Sequence, residues 1–323
     1  MPALIGGFGK INRNIIKKYS SSAPLDIKEK ESNLREKLGA YLAGLIEADG
    51  SIAVHDANSK SNKYRPKILV AFSLADEPLA LKLASVTNTG AVSRKVNAGC
   101  VIWQIQKSAE VILIINLING FMRTPKIEAL HRAINWFNTF DNLNLTCLDL
   151  DKSPINSNAW LAGFSDGDAN FSISLIVRKK GGSIRGKRVQ SFFRIELRQT
   201  YHRDVSGEQG WASYFLVLNE IAIFLGVSLL SRTRVQGDKL FYAFMVIAQN
   251  AMSHEKVISY FDRFPLYSSK YLAYKDWCRV VELTKLRNGK AITLEEIKEV
   301  EAIKSQFNSK RITFDFSHLD SLL

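Results

Sequence analysis

The sequence predicts an α+β protein made of two pseudo-symmetric repeats of the order αββαββα, each with an antiparallel sheet, which pair through one helix of each repeat. The prediction rests on a nine-residue stretch that occurs twice, LAGLIEADG at 42–50 and LAGFSDGDA at 161–169, and on the similar order of segments after each copy. A chain of 323 residues also suits two domains. We divide it into a lead-in (1–35), a first repeat (36–140), a linker (141–156), a second repeat (157–270) and a helical C-terminal segment (271–323).

Each copy of the repeated stretch is predicted to be a helix with one apolar face. Apolar residues recur at spacings of three and four: Leu38, Leu42, Leu45 and Ile46 in the first copy, and Trp160, Leu161 and Phe164 in the second. The small pairs Ala43-Gly44 and Ala162-Gly163 remove bulk where two such helices would cross. We therefore expect the two helices to pack closely against each other.

Asp49 and Asp168 stand at matching positions of the two copies. Gly50 suits a left-handed helix ending, which would place Asp49 in the last turn and bring the two carboxylates together at one end of the helix pair. Two such carboxylates repel unless a cation lies between them, and their oxygens suit Mg²⁺. The alternative is that both are ordinary solvated residues at a helix end.

The segments after each copy predict the remaining elements. Strands are expected at 51–55, 67–74, 171–178 and 191–199, with Ile68, Val70, Phe72 and Leu74 facing inward. Hairpins are expected at 90–106, turning at 97–99, and at 228–248. Helices are expected at 78–86, 109–121, 126–138, 212–225 and 255–262, and residues 20–33 are expected to be a loose lead-in.

The two nine-residue stretches resemble the signature of the LAGLIDADG homing endonucleases, in the form with two repeats fused in one polypeptide. The matching aspartates lie 119 residues apart (168 minus 49), and the resemblance extends over residues 36–312. It implies a monomeric enzyme, with no obligate protein partner, that cuts both strands of a long double-stranded DNA site.

The resemblance also implies a set of metal ligands. The acidic residue before the closing glycine binds the catalytic metal, which corresponds to Asp49 and Asp168, whereas Glu47 is not expected to be a ligand. The backbone carbonyls of Ala48 and Gly167 are additional candidates. Mg²⁺ is the expected cofactor, with Mn²⁺ as a substitute and Ca²⁺ as a stand-in that does not support cleavage.

One residue departs from the signature. Ala169 replaces the closing glycine of the second copy. A left-handed alanine costs about 1 kcal/mol, so either Asn170 takes that conformation or the second half-site is distorted.

Two further pairs of residues correspond to family positions. Lys126 ends FMRTPK (121–126) and Lys270 ends PLYSSK (265–270). The resemblance implies that such lysines reach the active site near the scissile phosphate, the alternative being that they cap a helix or touch backbone phosphate. Asp76 and Gln199 fall where the family often has a polar residue that organises water, although Asp76 is also expected as a simple helix cap.

The polar faces of the predicted strands and their turns carry the candidate DNA contacts. A two-stranded ribbon fits the major groove, where arginine binds guanine with two hydrogen bonds and glutamate accepts from cytosine; the alternative is an ordinary solvated face. The candidates are His55, Lys63, Arg65, Lys67, Ser73, Arg94, Lys95 and Gln104 in the first repeat, and Ser172, Ser174, Arg178, Arg185, Lys187, Arg188, Arg194, Glu196, Arg198, Arg232 and Arg234 in the second.

Composition agrees with a nucleic-acid partner. The formal charge of +13 and the pI near 9.6 indicate a polyanionic ligand, nucleic acid before a membrane surface. The three cysteines lie far apart without a CxxC pair, which argues against a disulfide framework and a zinc cluster. No apolar run is long enough to span a bilayer.

The opening MPALIGGFGK resembles a stretch of cytochrome c oxidase subunit 1, which predicts exon-derived sequence and a target at that exon junction. The competing hypothesis is a transit peptide with Lys10, Arg13, Lys17 and Lys18. Both predict a mitochondrial protein. An alternative function is an RNA maturase that binds its own intron RNA, alone or in addition to cleavage. A glycosidase with two carboxylates is disfavoured by the basic strands.

Overall fold

A computed structural model describes residues 25–54, 64–180, 183–204, 211–286 and 291–322. Most of the predicted lead-in, with its exon-like or transit-like sequence, lies outside the described residues, and so do His55 and Lys63.

The first repeat alternates helices with pairs of strands. Its elements are α1 (Leu25–Asp49), β1 (Gly50–Ala53), β2 (Lys67–Ser73), α2 (Glu77–Thr87), β3 (Ala91–Lys95), β4 (Cys100–Ile105), α3 (Ser108–Ile118) and α4 (Ile127–Phe140). The four strands form one antiparallel sheet in the order β1-β2-β4-β3.

The second repeat has the same order of elements with one addition. It comprises α5 (Trp160–Asp168), β5 (Ala169–Lys180), β6 (Ser183–Arg198), β7 (Thr200–Asp204), β8 (Trp211–Ser213), α6 (Phe215–Leu225), β9 (Leu230–Gln236), β10 (Lys239–Ala248) and α7 (Ala251–Arg263). Its large sheet has the order β5-β6-β10-β9, which matches the first repeat. The small β7-β8 pair was not predicted, and α6 accordingly begins at Phe215 rather than at 212.

Two helices follow the second repeat, α8 (Lys270–Leu286) and α9 (Leu294–Ser305). Thr293 caps α9 through a reciprocal hydrogen-bond pair with Glu296. Within the part of the chain that the structure describes, no helix combines the length and the apolar character needed to cross a membrane. The predicted α+β class with two αββαββα repeats is confirmed.

Alternation along the strands determines which face of each sheet packs on the helices. In β2, Ile68, Val70 and Phe72 are buried while their neighbours are more exposed. Leu74 was predicted to continue this row, but the prediction is wrong: the strand ends at Ser73, and Leu74 is 46% exposed in a short 3-10 turn.

The loose lead-in expected at 20–33 is also corrected, because α1 begins at Leu25. The sequence from Leu25 to Leu38 has neither glycine nor proline and is rich in glutamate, lysine and leucine, so the helix extends upstream of the motif.

The helices α1 and α5 cross at the paired glycines, as predicted. A Cβ atom at Gly44 would lie 2.1 Å from the carbonyl oxygen of Trp160, and one at Gly163 would lie 1.9 Å from that of Tyr41. Both positions therefore leave no room for a side chain, and the two backbones are in direct contact.

Both motif helices pass straight into the first strand of their sheet, which overturns two expectations. Gly50 is the first residue of β1 and does not have a positive φ. Ala169 has φ −88° and ψ 161°, so the predicted left-handed alanine and its strain are absent. A Cβ at Gly50 would lie 2.6 Å from Cα of Ile46, so space rather than backbone conformation favours glycine there.

Candidate active site and nucleic-acid interface

Asp49 is the last residue of α1 and Asp168 the last residue of α5. Since the helices cross a turn or so earlier, their ends lie together: a Cβ at Gly167 would be 3.1 Å from Oδ2 of Asp49. Burial raises the pKa of Asp49, and the charges of Lys270 and Lys126 oppose this rise. Burial and the charge of Asp49 raise the pKa of Asp168 to about 6. The two carboxylates are thus close enough to influence each other.

A partly buried lysine lies near each carboxylate. Nζ of Lys126 donates to the carbonyl oxygens of Ile46 (3.1 Å), Ala48 (3.4 Å) and Gly50 (2.9 Å). Nζ of Lys270 makes the matching contacts at the end of α5, to Ser165 (3.2 Å) and to Gly167. Burial lowers the pKa of both ammonium groups, and the neighbouring carboxylates oppose this effect. The structure therefore brings the two predicted lysines and the two predicted aspartates to one end of the helix pair.

Both lysines also contact the carbonyl oxygens that were named as candidate metal ligands: Lys126 donates to that of Ala48, and Lys270 to that of Gly167. A metal ion on either oxygen would share it with an ammonium group, so metal binding by these carbonyls stays a prediction. The carboxylate of Glu47, which was not expected to be a ligand, accepts hydrogen bonds from the backbone amides of Arg123 and Thr124.

The remaining donors fit a hard divalent cation. Asp49 and Asp168 offer only oxygen, and the described residues contain no group of three histidine, cysteine, aspartate or glutamate side chains suited to a metal. A site with two carboxylates suits Mg²⁺, which keeps several waters and completes its shell with phosphate oxygens.

Asp76 and Gln199 occupy different surroundings. Asp76 precedes α2 but makes no side-chain cap, so the cap prediction is wrong. Its Oδ1 accepts instead from the backbone amide of Ser269 (2.5 Å), next to Lys270, and its Oδ2 accepts from Ser73 (2.6 Å). Gln199 donates to Oγ of Ser231 (2.7 Å) and lines the same depression as Asp168.

Sequence reasoning missed the residues that the β7-β8 insertion adds to this region. Tyr201 and Tyr214 line a depression of about 610 Å³ together with Lys126, Asp168 and Arg198. The first repeat has only the turn Leu74–Asp76 at this point, so comparison of the repeats could not have revealed them.

One face of the second sheet is strongly basic. The register pairs Arg194 with Asn170, and Arg198 with Ala243, which in turn pairs with Arg232. Paired residues point to the same side of a sheet. The predicted contacts that share this face, opposite the buried Phe193 and Ile195, are Ser172, Ser174, Arg188, Arg194, Glu196, Arg198, Arg232 and Arg234.

Three polar or aromatic neighbours on that face were not predicted. Asn170, Gln190 and Phe192 pair with Arg194, Ser174 and Ser172, respectively. Their position on the same face followed from the strand alternation alone, which could have identified them. Arg178 and Arg185 belong to β5 and β6, but their side chains lie outside the described part of the structure.

The first sheet presents a smaller polar face. Lys67, Ser73, Lys95 and Gln104 share the side opposite the buried Ile68 and Val70. This face carries two lysines and no arginine among the residues that the structure describes there.

Three predicted DNA contacts do not lie on these two faces and have partners within the protein. Arg94 pairs in register with the buried Val101, on the helix-facing side, and forms an ion pair with Glu77 of α2. Lys187 pairs in register with Val177, on the other side of the sheet from Arg188, and forms an ion pair with Glu301 of α9 (2.7 Å).

Arg65 precedes β2 and donates both guanidinium nitrogens to Asp141, at 2.7 and 2.9 Å. Its guanidinium also lies 5.4 Å from the ring of Trp136. This arginine therefore joins the start of β2 to the end of α4 instead of projecting from the sheet.

Comparison with known proteins agrees with this arrangement. The LAGLIDADG endonuclease family matches residues 42–137 and 161–281. The intron-encoded DNA endonuclease aI3 of Saccharomyces cerevisiae is 38% identical over 344 residues, covering 99% of this chain and 81% of that protein. An uncharacterised cox1 intron-2 protein of Schizosaccharomyces pombe is 28% identical over 302 residues, covering 92% of this chain and 81% of that protein.

A solved structure shows the same fold. The meganuclease I-SmaMI, crystallised on uncleavable DNA, superposes with a TM-score of 0.62 at 19% identity, covering 84% of this chain and 99% of that chain. Members of this family use divalent metal and act on double-stranded DNA. The two family matches fall on the two repeats, each of which begins with a motif helix that ends in an aspartate. The chain belongs to the LAGLIDADG endonuclease family and is a site-specific DNA endonuclease of the single-chain, two-repeat form.

Proposed function

We propose that Asp49 and Asp168 hold Mg²⁺ and that Lys126 and Lys270 act beside them at the scissile phosphates. The observation that supports this is the convergence of the two carboxylates with two partly buried ammonium groups at one end of the α1–α5 pair. Bound Mg²⁺ supplies a polarised water and charge stabilisation for the attacking and leaving oxygens. Each lysine keeps a positive charge next to its carboxylate, where a phosphate oxygen would gain negative charge.

The basic face of the second sheet and the polar face of the first bind the two halves of the DNA site. A ribbon of antiparallel strands fits the major groove, with side chains of one face directed at base edges. Asn170, Arg194 and Arg198 lie on one face of the sheet and line the same depression as Asp168. Contacts to bases would therefore continue directly into the cleavage site. This continuity would fix the cut at a defined distance from the recognised bases.

The target lies at an exon junction of the mitochondrial gene for cytochrome c oxidase subunit 1, and the protein acts in the mitochondrion. Two observations support this: MPALIGGFGK resembles a stretch of that subunit, and of the two relatives one is an intron-encoded endonuclease and the other a cox1 intron protein. Homing would insert the intron into an allele that lacks it.

Cleavage of a plasmid carrying the intronless junction, with Mg²⁺, tests the proposal. The wild type should cut both strands, whereas Asp49→Asn and Asp168→Asn should lose double-strand cleavage and still bind the plasmid in Ca²⁺. A cut that survives in both variants would overturn the assignment of the carboxylates. Binding to the intron RNA without any DNA cut would instead favour the maturase function.

A further inference from the structure

Glu47, the first acidic residue of the motif in the first repeat, is buried and saturated with hydrogen bonds. Its carboxylate accepts from the backbone amides of Arg123 (3.0 Å) and Thr124 (2.6 Å). These amides belong to the short segment that leads into Lys126. A third donor is Nε1 of Trp160, at 2.6 Å. Glu47 therefore fixes the position of the segment that carries the first lysine.

Asp166 occupies the matching position in the second repeat and makes the matching contacts. It accepts from the backbone amides of Tyr267 (2.8 Å) and Ser268 (3.2 Å) and from Oγ of Ser268 (2.5 Å). These residues lead into Lys270. The remaining donor is the hydroxyl of Tyr41, at 2.7 Å.

In both halves the aromatic donor comes from the opposite repeat. Tyr41 lies immediately before the Leu-Ala-Gly of the first motif, and Trp160 immediately before that of the second. Both side chains are fully buried in the α1–α5 interface. Each carboxylate thus connects the lysine-bearing segment of its own repeat to the motif helix of the other repeat.

We propose that Tyr41 and Trp160 are positioning residues that couple the two halves of the active site: Tyr41 orients Lys270 through Asp166, and Trp160 orients Lys126 through Glu47. The inference rests on the proposed role of the two lysines. The consequence is an effect on the cleavage of one DNA strand only. Loss of the Tyr41 hydroxyl disturbs the half-site of Lys270 and leaves that of Lys126 intact. Small displacements of a group that acts on a phosphate slow the reaction strongly, and we expect about a tenfold effect on one strand.

Hydrogen exchange in the free protein tests the coupling without a DNA target. Tyr41→Phe removes one hydroxyl and leaves Asp166 its three donors from Tyr267 and Ser268, so the chain should fold. Exchange should accelerate in the peptide covering 264–270 and remain unchanged in the peptide covering 121–126. The matched control is Tyr274→Phe, another buried tyrosine, whose hydroxyl donates to Asp262 (2.8 Å) rather than to Asp166. Equal exchange in the wild type and Tyr41→Phe would overturn the coupling.

Strand-specific cleavage of the junction plasmid tests the consequence. Lys270→Met and Lys126→Met identify which strand depends on which lysine. Tyr41→Phe should then slow the Lys270-dependent strand about tenfold, accumulate nicked plasmid, and have no further effect in the Lys270→Met background. Tyr274→Phe should cut both strands as the wild type does.

The outcomes separate the two ideas. If Lys270→Met leaves both strands unaffected, the proposed role of the lysine fails. If Lys270→Met is strand-selective but Tyr41→Phe slows both strands equally or neither, the coupling alone fails. Trp160→Phe provides the mirror-image variant, with the expected delay on the Lys126-dependent strand.

Discussion

Replacing Gly163 with alanine tests whether the close crossing of α1 and α5 holds the two repeats in register. The added Cβ would lie 1.9 Å from the carbonyl oxygen of Tyr41 and 2.9 Å from the amide nitrogen of Leu45. Ordinary contact begins near 3.4 Å, so the backbones must separate by about 1.5 Å (3.4 minus 1.9). No side-chain rotation can relieve this contact, because both obstructing atoms belong to the helix backbone.

The expected cost is at the upper end of what overpacking produces, about 3 kcal/mol. For a chain of this size, each kcal/mol lowers Tm by roughly 2 °C, so Gly163→Ala should melt about 6 °C below the wild type. Gly44→Ala should behave alike, since its Cβ would lie 2.1 Å from the carbonyl oxygen of Trp160. Separation of the helices should also displace Asp49 from Asp168 and slow cleavage of both strands.

Thermal unfolding, monitored by circular dichroism, measures the decrease in Tm. Gly99→Ala is the matched control. Gly99 has a positive φ of 63°, and a Cβ added there would have no atom within 4 Å, so alanine at this position meets only backbone strain of about 1 kcal/mol. If Gly163→Ala melts as close to the wild type as Gly99→Ala does, the helices are not held by close contact at the glycines and the reasoning is refuted.

Three further predictions concern the core and the DNA-binding faces. Burial lowers the pKa of His254, so below about pH 6.5 the unfolded chain binds more protons than the folded chain, and the free energy of unfolding decreases as the pH is lowered. Urea unfolding at pH 7 and pH 5 should therefore show a smaller loss of stability for His254→Asn than for the wild type. Arg94→Ala should leave affinity for the junction duplex within about twofold, whereas Arg194→Ala should weaken it about tenfold, as measured by fluorescence anisotropy; equal losses would contradict the assigned faces. Glu196→Gln should tighten binding to an unrelated duplex by about twofold to fivefold at low salt, because it removes the negative charge beside Arg232, and unchanged affinity would argue against DNA contact at this face.

The sequence contained enough information to predict the two motif helices and their pairing. The three-and-four spacing of Leu38, Leu42 and Leu45 is sufficient for one apolar face, and the duplication supplies the partner for that face. The two glycines then specify how closely the helices approach. Because these signals are local and occur twice, the crossing could be predicted, and the close contact at both glycines confirms it.

The faces of the strands were harder to predict where two basic residues are adjacent. Arg94 and Lys95 were both expected at the DNA, yet successive residues of a strand point to opposite sides. The register that assigns Lys95 to the polar face depends on its pairing with Cys100, which is fixed by the length of the turn between β3 and β4. A single segment does not contain that information.

Long-range partners account for the differences at Asp76 and Lys187. Asp76 has the sequence context of a helix cap, but its carboxylate meets the amide of Ser269, 193 residues further along the chain. Lys187 and Glu301 are likewise far apart in sequence. Such contacts form only when the two repeats and the C-terminal helices pack together, so no local sequence pattern predicts them.

Fusion of two repeats in one chain allows each half of the site to differ. Near Lys270 the polar neighbour is Asp76, bound to Ser269, whereas near Lys126 the corresponding space is lined by Tyr201 and Tyr214 from the inserted segment. A carboxylate and a phenol hydroxyl orient water differently, and the carboxylate also adds negative charge beside Lys270. Because these differences lie at the cleavage centre, the two strands should be cut at unequal rates even in the wild type, with a nicked plasmid as a transient intermediate.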